Sequence, residues 1–91
     1  MNALNLPPIL MQQQANACRD QWVQAMQASP SATDWVANAA ALVQFDSSAI
    51  AVLLSCRREA LALGQTFQVQ HMPPKLQELA TLYGVMALLS A

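Results

Sequence analysis

Apolar and polar positions along this chain change rhythm repeatedly, and each change marks an element. Leu4 and Leu6 alternate with Asn2 and Asn5, which predicts a short strand over residues 2–6; Pro7 and Pro8 stop it and suit the first turn of a helix. From Ile9 to about Ala28 the apolar residues Met11, Ala15, Cys18, Trp22, Ala25 and Met26 recur at spacings of three and four, the signature of an amphipathic helix. Ser29-Pro30-Ser31-Ala32-Thr33 reads as a loop. A strand follows near 34–38, then an alanine-rich irregular stretch and a short extended approach, Leu42 to Phe45.

A second helix is expected from Ser47 to Leu63, ended by Gly64. Thr66-Phe67-Gln68-Val69-Gln70 alternates as a half-buried strand does. Met72-Pro73-Pro74 breaks it, and a third helix runs from Pro73 to Tyr83 with Leu76, Leu79, Ala80 and Tyr83 on one face. Gly84 ends that helix, leaving Val85–Leu89 as a strand or a short helix. Strands alternating with helices predict an α/β fold, a small parallel or mixed sheet with helices packed on it, built as one domain over residues 1–91.

Composition narrows the function classes. The chain is 55% hydrophobic and only 10% charged, with a net charge of −1. Globular chains carry about a quarter charged residues, so part of this surface is expected to be apolar or small and to sit against a partner. Four basic residues cannot track a phosphate backbone, which argues against nucleic acid. No stretch reaches the length of a membrane span and the first residues lack a signal-peptide pattern, so a cytoplasmic location is expected. Cys18, Cys56 and His71 make no metal site by themselves; the cysteines read as reduced, small hydrophobes. Gly64 and Gly84 are the only glycines, so no phosphate-cradling loop exists. No enzyme activity, metal or cofactor is expected.

The most informative run is Gln44-Phe45-Asp46-Ser47-Ser48-Ala49-Ile50-Ala51-Val52-Leu53-Leu54. An acid and two hydroxyls stand where an extended segment meets a helix, so Asp46, Ser47 or Ser48 caps the first free N–H groups. On a helical wheel Ile50, Leu53, Leu54, Ala60 and Leu61 share an apolar arc, widened by Val52, Cys56 and Leu63. Ser47, Ser48, Ala51, Ser55, Arg58, Glu59 and Ala62 share the opposite arc. Small side chains there let a second protein come close, and a phosphate on either serine would set about two negative charges against that approach.

Asp46-Ser47-Ser48-Ala49-Ile50-Ala51-Val52-Leu53-Leu54, followed by Arg57-Arg58-Glu59-Ala60 and Gly64, resembles the signature of STAS domains, the domains of sulfate transporters and anti-sigma-factor antagonists. Leu76-Gln77-Glu78-Leu79-Ala80-Thr81-Leu82-Tyr83-Gly84-Val85 resembles their closing helix, as it occurs in the small STAS subunits of Mla-type phospholipid ABC transporters. The likeness spans roughly residues 3 to 90. It departs from the pattern at Ala49, where the family usually has Gly, at Asn38, where many members have an acid, and in lacking an extra N-terminal strand or hairpin. That last departure leaves a bare sheet edge, a place for a homodimer to form.

The resemblance implies a STAS-like fold and a protein that works by contact. Asp46, Ser47, Ser48, Ala51, Ser55 and Arg58 become the expected partner-binding and regulatory residues, with the family's regulatory hydroxyl on Ser47 or Ser48. The implied partner is the cytoplasmic ATPase subunit of a phospholipid ABC transporter that maintains outer-membrane lipid asymmetry, which would hold the protein at the inner membrane without insertion of its own. The alternative the family offers is an anti-sigma-factor antagonist switched by a serine kinase.

Overall fold

The computed structural model describes residues 2–29, 31 and 33–89; Met1, Ser90, Ala91 and the expected loop residues Pro30 and Ala32 lie outside them. Three strands, β1 (Asn2–Asn5), β3 (Asp34–Asn38) and β5 (Thr66–Gln70), form a parallel sheet in the order β1-β3-β5. Between β1 and β3 lie a two-residue strand β2 (Ile9–Leu10) and helix α1 (Gln12–Gln27); between β3 and β5 lie β4 (Gln44–Phe45) and helix α2 (Ser47–Ala62). Helices α3 (Pro74–Leu82) and α4 (Met86–Leu89) close the chain.

Each crossover moves one place in the same direction across the sheet. With right-handed connections, both α1 and α2 therefore lie on one face. The side chains agree: Leu4, Trp35, Ala37, Phe67 and Val69 join Cys18, Trp22, Met26, Ile50, Val52, Leu53, Cys56 and Ala60 in one core. The opposite face carries Ala3, Asn5, Asn38, Thr66, Gln68 and Gln70, largely polar or small, around a buried Val36. Parallel sheets are usually covered on both faces. Here the alternation in Thr66–Gln70 already encodes a sheet with one dry and one wet side.

The expected first helix begins too early. Pro7 and Pro8 do not open it; Ile9–Leu10 is extended and pairs in parallel with Gln44–Phe45, while the Pro8 carbonyl accepts from the amides of Val43 and Gln44 at 2.9 and 3.0 Å. Leu10 is fully buried, and the helix starts only after Met11, whose amide donates to Gln14 Oε1 at 3.0 Å. On α2 the apolar arc is also displaced. Leu61 and Leu63 are 48% and 44% exposed, and the buried stripe is Ala49, Ile50, Val52, Leu53, Cys56 and Ala60, rotated toward α1 because α1 packs along that flank. On α3, Leu76 and Ala80 are buried as expected, but Tyr83 is exposed. The open choice at Val85–Leu89 resolves as α4, with Leu89 fully buried.

Both glycines finish helices by the same device. The amides of Gly64 and Gln65 donate to Leu61 and Ala60, and those of Gly84 and Val85 to Thr81 and Ala80. This Schellman arrangement needs a left-handed residue, and φ is +73° at Gly64 and +70° at Gly84. The turn at Gly64 delivers Gln65 into the interior. Trp35 Nε1–H donates to Gln65 Oε1 at 2.7 Å, and Gln65 Nε2 donates to the Ser29 carbonyl at 3.1 Å. One buried amide thus ties β3, the entrance to β5 and the end of α1, with both of its polar atoms satisfied.

Cys18 and Cys56 are free and buried on the facing sides of α1 and α2. Burial, helped by the nearby Cys18, pushes the Cys56 thiol from its ordinary 9.0 up to about 12. The folded protein therefore keeps a neutral thiol where the unfolded chain would ionise. Its contribution to stability is complete below pH 9.0 and is lost as pH rises toward about 12. Urea melts across that window should show a steep decline for the parent and a shallower one for Cys56→Ala. At Gly64 a Cβ would meet nothing within 4 Å, so Gly64→Ala should cost only its backbone conformation, about 1–2 kcal/mol in a denaturant titration.

Candidate functional site

The site is organised by Asp46, which follows β4 and precedes α2. Its backbone is extended, and its Oδ1 accepts from the Ser48 amide at 2.8 Å, the geometry of an N-cap. Its Oδ2 accepts, at the longer distance of 3.4 Å, from the amide of Gln12 in the first turn of α1. Of the three cap candidates in the sequence, Asp46 takes the role and touches two helices. The Ser48 backbone amide holds its carboxyl below the ordinary value; partial burial opposes this, and the Ser48 side chain and the Gln12 amide add to the lowering. The positive ends of both helices act in the same sense.

The two serines, adjacent in sequence, face different grooves. Ser47 is exposed and lines a groove of about 540 Å³ between the start of α2 and α3, together with Phe45, Asp46, Lys75, Glu78, Leu79, Leu82 and Tyr83. Ser48 is half-buried and lines a groove of about 400 Å³ toward α1, with Gln12, Ala15, Asn16, Arg19, Ala51, Val52 and Ser55. Between them runs the crest of α2, where Ser47, Ala51, Arg58 and Ala62 are exposed. The six residues singled out from the sequence therefore form one surface strip with a groove on each side: Ser47 on the α3 side, Ser48 and Ser55 on the α1 side, Ala51 and Arg58 along the top, Asp46 at the head. Ala49, the position where Gly was expected, is fully buried.

Residues of α3 belong to this surface and were missed. Leu82 is 77% exposed and Tyr83 53% exposed, beside Lys75 and Glu78. The signal was present: Leu82 is a large apolar residue off the buried stripe of Leu76 and Ala80. Val43, in the loop leading into β4, is likewise 77% exposed.

The surface offers shape, hydrogen bonds and apolar contact. Its one cation on the α1 side, Arg19, is paired with Asp20 at 2.8 Å. His71 stands apart, exposed, with a left-handed φ of 59° after β5. Among the described residues no group of three or more His, Cys, Asp or Glu is placed to hold a metal ion, and no helix is long and apolar enough to cross a membrane.

Residues 3–90 match the family model described as "Mlab, STAS domain". No curated protein matches the chain.

The lowered acidity of Asp46 fixes the sign of a pH effect. A carboxyl held below its ordinary 3.8 contributes stability above that pH and loses it as pH falls through the folded value. Between about pH 5 and pH 2 the parent should lose stability faster than Asp46→Asn, whose side chain does not titrate; parallel acid melts followed by circular dichroism measure the difference.

Proposed function

Because the chain belongs to the STAS domain family, we propose that it is a non-enzymatic docking subunit, binding and stabilising the cytoplasmic ATPase of a phospholipid-transporting, Mla-type ABC system that maintains outer-membrane lipid asymmetry. The observation that carries this reading is the α2 crest. Ser47, Ala51 and Ala62 are exposed, small and uncharged, and at the head of the crest Ser47 shares a groove with the exposed apolar side chains of Leu82 and Tyr83 at the end of α3. A partner surface can approach such a strip closely and desolvate few charges in doing so. Docking of this kind shifts the ATPase among its conformations by binding one of them better. It also places the subunit at the cytoplasmic side of the inner membrane through its partner.

The antagonist alternative demands a serine kinase acting on Ser48. That side chain is half-buried toward α1 and helps hold the Asp46 carboxylate, so a phosphate there would give up that contact and set its charge beside the carboxylate. Ser47 lies open on the other side. The balance favours contact through Ser47 and the crest.

Capture of purified candidates separates the two readings: the docking role expects an Mla-type ABC ATPase to be retained, the antagonist role a serine kinase of the anti-sigma class. On the ATPase, Ala51→Arg and Ser47→Glu should each weaken binding about tenfold or more, while Gln27→Arg, exposed at the far end of α1, should leave it unchanged. Equal affinities for all four proteins, measured by calorimetry, would remove the crest from the interface.

A further inference from the structure

Arg58 interrupts the small, uncharged pattern of the α2 crest. It is exposed, and the residues one turn to either side of it, Leu54, Ser55, Leu61 and Ala62, carry no charge. Those are the positions from which a helix pairs its own side chains, so α2 offers Arg58 no carboxylate there. Glu59, the next residue, is turned about 100° away, in line with Val52 and Ser55 of the α1 groove. Asp20 is held by Arg19 at 2.8 Å. Asp46 caps the helix about 18 Å back along its axis, and Glu78 lines the groove at the head of the crest. Among the described residues Arg58 has no ion-pair partner.

The small residues around it decide what that charge requires. Ala51 stands two turns before Arg58 and Ala62 one turn after, both exposed on the same side of the helix. A partner that comes close enough to touch both alanines covers the guanidinium between them. Taking an unpaired guanidinium out of water is costly, whereas a carboxylate opposite it accepts two parallel N–H···O bonds. The strip that admits a close partner therefore demands an anion at one point along its length.

Resting on the docking role proposed above, we infer that the partner's surface carries an acidic side chain, Asp or Glu, that seats on Arg58 between Ala51 and Ala62. At the other end of the crest the exposed side chains of Leu82 and Tyr83 beside Ser47 call for apolar contact. The two ends of the strip thus differ in chemistry: apolar at the head of α2, cationic toward its C-terminal half. A partner carrying an acid at one end of its contact and apolar side chains at the other can lie along α2 in only one direction, so Arg58 fixes the orientation of the docked protein as well as its place.

Calorimetric titration of a purified Mla-type ABC ATPase with the full chain tests this by sign. Arg58→Gln removes the charge and keeps much of the side chain's length. With a carboxylate opposite, it strands that acid, and affinity should fall about tenfold or more; Arg58→Glu sets two anions together and should fall further. With no acid opposite, Arg58→Gln only removes a costly desolvation, and affinity stays level or rises. Gln27→Glu, exposed at the far end of α1, makes the same change of net charge and should leave affinity unchanged. Arg58 is exposed, so its variants should keep the circular dichroism spectrum of the parent. Should Arg58→Gln bind as tightly as the parent, or lose no more than Gln27→Glu does, while Ala51→Arg binds weakly, the acidic contact is overturned and the docking surface stands. Should Ala51→Arg, Ser47→Glu and Arg58→Glu all bind like the parent, the docking surface falls and the acidic contact with it.

Discussion

One carboxylate sets the geometry on which the candidate site depends. Asp46 accepts from the first turn of α2 with one oxygen and reaches the first turn of α1 with the other. Two helix starts, at Gln12 and Ser47, are thereby brought to one point. Each helix N-terminus presents unpaired N–H groups and a partial positive charge, and a single anion between them satisfies both. The position of α2 relative to α1 decides which of its faces is buried. This is why the buried stripe runs through Ala49, Val52 and Cys56 and leaves Ala51 and Arg58 on the outside.

That rotation separates what the sequence made legible from what it did not. Local signals were sufficient for β3, β5, α2 and α3: alternation in Thr66–Gln70, the acid-hydroxyl cap before α2, the glycines after α2 and α3. The α/β class followed from the alternation of strands and helices, whereas the choice between a parallel and a mixed sheet, and the order β1-β3-β5, are set by the pairing of the strands. Signals failed where a tertiary partner chose between two local options. Pro7-Pro8 suits a helix start, yet Leu10 is better used as a buried plug paired with Phe45, and the β2–β4 ladder has no signature until both pieces are seen together. The wheel of α2 assumed that the most hydrophobic arc faces the core. Leu61 and Leu63 were drawn into that arc, but α1 fills the flank occupied by the smaller Ala49 and Cys56.

The same logic applies to the site. Its residues were legible as a set because capping and small size are properties of single positions. Their division was not. Ser47 and Ser48 are one step apart on a helix, about 100° in rotation, and only the placement of α1 and α3 shows that this step crosses a ridge from one groove to the other. Two hydroxyls that look equivalent in sequence thereby acquire different chemistry: Ser48 supports the cap, and Ser47 faces outward.

Scarcity of charge links the two surfaces this chain presents. A protein of 91 residues with 10% charged side chains has few means of keeping its exposed faces apart from other proteins, and the faces it leaves open are chemically distinct. The α2–α3 side joins apolar side chains to a small-residue crest, which suits a different protein with its own protruding groups. The β1–α1 side offers an uncharged groove lined by amides. The two lie on opposite flanks of the helix layer, since α1 turns Gln12, Ala15 and Arg19 toward α2 and Gln13, Ala17 and Gln21 away from it. A protein docked on the crest therefore leaves the outer side of α1 uncovered.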